Sequence, residues 1–178
     1  MAKLSNTGGM LGITFEVEGV PQMARVLGIS FKRVKDLRPV WDDIADDFVK
    51  GEKSLFSRQG AKQGWAAWAP LNPDYVKWKK SKGFSTRILQ RKGDLKDSLT
   101  RRSDKNFIFK PRKLGMEIGT KVPYAKYHQR GVPKNKLPKR EPIRITNTQR
   151  KTWVKLIQKY VIESGQFERS NFKSRIRP

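Results

Sequence analysis

Residues 61–178 carry thirty-one lysines and arginines against eight aspartates and glutamates, a surplus of +23, whereas residues 1–60 hold nine against eight. No other feature limits the fold as strongly. A surplus of that size repels itself as the chain compacts, so a polyanion or an acidic neighbour has to offset it. The charges also have to stay outside the core, and with hydrophobic residues at 36% that core is modest. At 178 residues the chain has the length of one domain. The expected architecture is a single α+β domain over residues 11–164. It has a small antiparallel or mixed sheet packed with two longer helices, and extended basic loops and termini. A flexible arm, residues 1–10, precedes it and a basic tail, residues 165–178, follows.

Several function classes lack their parts. Cysteine is absent, which excludes disulfides, zinc–thiolate sites and thiol nucleophiles. The one histidine, His128, stands beside Tyr124, Tyr127 and Gln129 and reads as a packed or hydrogen-bonding residue rather than a catalyst. No Gly-x-x-x-x-Gly-Lys-Ser/Thr loop is present to cradle a nucleotide phosphate. No enzyme activity and no cofactor are expected. The N-terminus lacks the apolar core of a signal peptide, and no apolar run approaches the roughly 18–20 residues of a membrane span. The chain therefore reads as cytoplasmic at synthesis, without a membrane partner.

Periodicity supplies the elements. Leu11, Ile13, Phe15 and Val17 alternate with Gly12, Thr14, Glu16 and Glu18, the signature of a half-buried strand. Residues 21–34 suit a short helix. A clearer helix begins with Asp36 as N-cap and Pro39 in the first turn, repeats Val40, Ile44 and Phe48, and runs to about Phe56 despite Gly51. Residues 60–92 form a loop with one short helix over Pro73 to Lys80, started by Asn72. Asp94 caps another short helix. Phe107 to Lys110 and Leu114 to Gly119 make a hairpin, Tyr124 to Gln129 a helical turn closed by Gly131, and residues 132–142 a basic loop. The last helix starts at Asn147 or Thr148, places Trp153, Leu156, Ile157, Tyr160 and Val161 on one face, and ends at Gly165.

Three groups of residues are candidates for function. Asp42, Asp43, Asp46 and Asp47 cluster on the polar face of the second helix. Such a face is a solvated surface, an acidic contact for a neighbour's basic half, or two or three ligands for a cation. Trp65, Trp68 and Trp78 lie in the Gly/Pro-rich middle, where they either staple a loop to the domain or anchor a neighbouring chain, with the balance toward the interface. Lys151, Lys155 and Lys159 stand at i, i+4 and i+8, joined by Arg169, Lys173, Arg175 and Arg177 in the tail. Like charges at that spacing destabilise a helix, so the ladder is either a solvated face or a contact with DNA phosphates. Without a sequence-reading motif, any such contact is with the backbone.

An ordered series of short motifs resembles the phage virion morphogenesis, or tail-completion, family of neck proteins. It runs from Gly60 through Trp68-Ala69-Pro70-Leu71, Tyr75, Lys79 and Leu89 to Gly93-Asp94-Leu95-Lys96-Asp97-Ser98-Leu99. It continues with Glu117-Ile118-Gly119-Thr120 and Tyr124-Ala125-Lys126-Tyr127-His128-Gln129-Arg130-Gly131, and closes on Pro138-Lys139-Arg140-Glu141-Pro142 and an amphipathic helix. The resemblance implies a structural α+β subunit at the head–tail junction that joins a ring with copies of itself, six by expectation. Its other partners would be tail-tube and connector proteins, and double-stranded DNA in the lumen. It carries no catalytic residues. Six copies of a +24 chain carry +144, tolerable where DNA threads the ring or acidic rings flank it.

Overall fold

In a computed structural model, which describes residues 2–5, 10–16 and 36–174, a long helix and a short one pack against a four-stranded antiparallel sheet, and a second long helix crosses the first. The strands are β1 (Ala2–Ser5), β2 (Leu11–Glu16), β3 (Phe107–Pro111) and β4 (Gly115–Thr120), in the order β1-β2-β4-β3. The helices are α1 (Arg38–Ser57), α2 (Pro73–Ser81), α3 (Asp94–Thr100), α4 (Ala125–Arg130) and α5 (Asn147–Ser174). The α+β class holds, and every strand pairing is antiparallel.

The sheet departs from expectation at one edge. Residues 1–10, expected as an arm, contribute β1, whose Leu4 stands opposite Ile13 of β2. At the centre, Gly12 faces Gly119 across β2 and β4, and a Cβ on Gly119 would lie 2.1 Å from the Leu11 carbonyl oxygen. Glycine permits that close approach. Leu11, Ile13, Met116 and Ile118 turn one buried face toward the helices. Val17 and the helix expected over residues 21–34 lie outside the described residues.

The first long helix, α1, runs from Arg38, with Leu37 rather than Asp36 at the N-cap. Asp36 acts one position earlier, where its carboxylate accepts from the Arg38 N–H at 3.1 Å. Trp41, Ile44, Ala45, Phe48, Leu55 and Phe56 are buried along one stripe, as the four-residue repeat requires. Gly51 does not interrupt α1. It marks where α5 crosses, and a Cβ there would meet Gln149 Nε2 at 2.3 Å.

Gln149 belongs to the start of α5. Its N–H donates to Thr146 Oγ1 at 3.0 Å and its Oε1 accepts from the Thr146 N–H at 3.3 Å. This reciprocal capping box puts the cap at Thr146, one residue before Asn147 and two before Thr148, the two expected positions. From there Trp153 and Val161 are buried, with Leu156, Ile157 and Tyr160 half-buried beside them. Trp153 Nε1 donates to Asp47 Oδ2 at 2.6 Å, and the Tyr160 hydroxyl donates to the Asp36 carbonyl at 3.2 Å. Gly165 does not end α5, which continues to Ser174. One internal glycine costs a helix about 1 kcal/mol, too little to stop one that is already propagating.

Candidate functional site

The Gly60–Leu71 loop is held down by cations that bond backbone carbonyls. Gly60 has φ +90°, and a Cβ there would sit 2.4 Å from the Trp68 ring, so only glycine lets the tryptophan fold over it. Trp68 is 4% exposed, meets Phe56 edge-on at 5.3 Å, and donates its Nε1–H to the Glu141 carbonyl at 3.0 Å. It is a core residue of its own chain, which corrects its reading as an interface anchor, since its surface is already covered. Arg140 donates to the carbonyls of Ala69 and Pro70, both at 2.8 Å. Arg144 donates to those of Gly60 at 2.7 Å and Ala66 at 3.0 Å, and its Nε pairs with Glu141 at 3.1 Å. Trp65 lies exposed under the Arg144 guanidinium.

Behind the strap of residues 139–144 that holds this loop, Glu52 is wholly buried, with Lys62 Nζ at 3.8 Å. Lys62 itself donates to the Arg144 carbonyl at 2.6 Å. Neither Glu52 oxygen meets a hydrogen-bond donor among the described residues. Burial pushes the Glu52 carboxyl up to about 8 against the pull of Lys62 and Arg144, and burial pulls Lys62 down.

The motif around α3 and α4 has an equally local cause. Gly93 is the N-cap in place of Asp94, at φ +101°, and Leu95 and Leu99 are buried against the sheet. The Ser98 and Thr120 hydroxyls pair at 2.7 Å inside that contact. On α4, Gln129 exchanges hydrogen bonds with the Ile143 backbone at 3.1 and 3.2 Å. The Arg140 N–H donates to the His128 carbonyl at 2.9 Å, a bond that fixes the strap to α4. Gly131, at φ +74°, closes the helix beneath Lys139. His128 packs edge-on to Tyr124 at 6.1 Å, and burial beside Arg140 holds its imidazole below the usual histidine range.

The charged faces of α5 and α1 are exposed. On α5, Lys151, Lys155 and Lys159 form a solvent-facing row opposite the Trp153 stripe, with Glu163 3.8 Å from Lys159. Arg169 and Lys173 fall within the continuation of α5, and Arg175 and Arg177 lie outside the described residues. On α1, Asp42, Asp43 and Asp46 are exposed, whereas Asp47 is turned to Trp153 and leaves the acidic face with three carboxylates. Arg102 pairs with Asp42 and, at 2.8 Å, with Asp46, while its guanidinium lies 4.9 Å from the centre of the Phe109 ring. Sequence reasoning missed Arg102, because no local pattern relates it to residues 56 and 60 positions away. Among the described residues no group of histidine and carboxylate side chains is placed to hold a metal ion.

Beside α2 lies a cleft of about 630 Å³ bordered by Leu71, Tyr75, Lys79, Tyr124, His128 and Leu137. Tyr75 and Trp78 stack at 5.5 Å with their planes 15° apart, and Phe84 leans on Trp78 at 5.8 Å. Among the described residues no helix is long and apolar enough to cross a membrane.

Fold and surface together describe a small basic α+β domain, with loop-holding cations and exposed charged helix faces. The chain belongs to the phage virion morphogenesis family, whose model matches residues 17–161. Membership gives it a role in the morphogenesis of a phage virion. No curated protein and no solved structure matches it.

Proposed function

We propose that the chain forms a ring, six copies in number, at the head–tail junction of a tailed phage. There it completes or terminates the tail, meets tail-tube and connector proteins, and surrounds the DNA path. The observation that carries this reading is the row of Lys151, Lys155 and Lys159 on α5, exposed and opposite the face that packs on the domain. Three cations at one-turn intervals suit a polyanion that has to slide, because contacts to phosphates hold without reading bases.

The test is the salt dependence of binding to duplexes of unrelated sequence. For roughly 6–10 phosphate contacts, affinity falls about 10³–10⁵-fold between about 50 and 200 mM salt. Changing the three lysines to Gln lowers the log–log slope by about 2–3 and does not lower the melting temperature, since their side chains face solvent and like charges at that spacing disfavour the helix. A variant that keeps the full slope clears the ladder of a DNA role and favours acidic neighbours as its partner. Sequence-neutral binding by a chain that is missing from purified virions instead supports a free nucleic-acid-binding protein.

A further inference from the structure

We propose that the exposed face of α2, with Phe84 beside it, seats a neighbouring copy of this chain, which presents the acidic face of its α1. The proposal rests on the ring reading and names the contact that would build the ring. Nine-residue helices are too short to hold themselves in water, and α2 buries one side chain, Lys79, in its own chain. Its remaining residues make a platform instead. Tyr75 is 39% and Trp78 40% exposed, although stacking with each other and with Phe84 has already fixed their rings in place. Fixed aromatic rings are the composition of interface centres, where little side-chain freedom remains to be lost on binding.

The charge around the platform selects the occupant. Arg91, whose guanidinium lies 5.9 Å from the centre of the Phe84 ring, and Lys82, at the C-cap of α2, are exposed beside it, whereas Lys77 and Lys80 each follow a ring residue by two positions and stand on another side of the helix. Duplex DNA satisfies those cations but keeps its base faces stacked inside the helix and gives the rings nothing to cover them. An acidic protein surface meets both needs. Among the described residues, the helix face that gathers three exposed carboxylates is that of α1, with Asp42, Asp43 and Asp46. Arg102 pins Asp42 and Asp46 from the side and lies on Phe109, so the face is held in one arrangement and keeps a negative surplus. The two faces are different patches of one chain. Their contact is therefore head-to-tail, the kind that closes into a ring rather than stopping at a dimer.

The absence of cysteine makes the test clean, because introduced thiols are the only ones. The full chain carrying both Asp43→Cys and Lys82→Cys is treated with a short bismaleimide, concentrated in solution and within assembled phage particles. A ladder of covalent multimers is expected from the double variant, dimers only from a mixture of the two single variants, and monomer from either alone. Adding Trp78→Ala to the double variant removes the ladder without unfolding the chain. Asp43→Cys alone linking to itself overturns the proposal, since it shows a two-fold contact through α1. So does a double variant that enters particles and gives no ladder, a result that leaves the neck reading standing. A chain never found in particles fails the neck reading itself.

Discussion

Glu52 shows how a single side chain sets a pH dependence for the whole domain. Its carboxyl is shifted from 4.5 to about 8 by burial. Across that window the folded chain holds a proton that the unfolded chain has released, so stability falls as pH rises. Glu52→Gln cannot titrate. The melting temperature of the wild type minus that of this variant should therefore decline steadily from about pH 4.5 to about pH 8. His128 acts in the opposite sense, because its folded form prefers the neutral imidazole and gains stability as pH rises toward 6.5. That contribution is common to both chains and cancels in the difference. A flat difference curve would mean that Glu52 is ionised in the folded domain throughout.

At the scale of elements, the crossing of α1 and α5 couples two features that look unrelated along the chain. Gly51→Ala should gain about 0.5–1 kcal/mol from helix propensity. The new Cβ also displaces the Gln149 amide, and with it the capping box, worth about 1 kcal/mol. We expect the single substitution to be near neutral. The same change in a Gln149→Ala background should stabilise by about 0.5–1 kcal/mol, read from paired urea melts. This crossing also shows what the sequence could reveal. The Asn72-Pro73 start of α2 was legible, and Asn72 does accept from the Asp74 N–H at 2.8 Å. The β3–β4 hairpin and the buried stripe of α5 were legible too, because each is a local pattern. Gly51 read as a weakness, since the side chain that needs the space, Gln149, lies far along the chain on another helix. Thr146 and Gly93 were missed by one residue as caps, and β1 was missed because four residues are too few to show a period. Of the candidate site, the lysine row and three of the four aspartates are exposed as their periodicity required. Trp68 was misplaced because composition cannot tell a staple from an anchor.

For the whole molecule, a net charge of +24 is a standing load on stability. Raising sodium chloride from about 20 to 300 mM should raise the melting temperature, because the Debye length shrinks from roughly 20 Å to about 6 Å. Short duplex DNA at low salt should raise it further, through binding to the folded state. A midpoint insensitive to both would mean that the cations are already balanced inside the domain. Arg140, Arg144 and Lys62 turn their donors inward to backbone carbonyls, neutral acceptors that leave the net charge as it is. That choice of acceptor has a consequence for how the chain can change. Every residue type offers the same carbonyl oxygen, so substitutions at Ala66 or Ala69 leave the grip of these cations intact. The loop can exchange its outward side chains to suit a different neighbour while the strap that holds it stays the same.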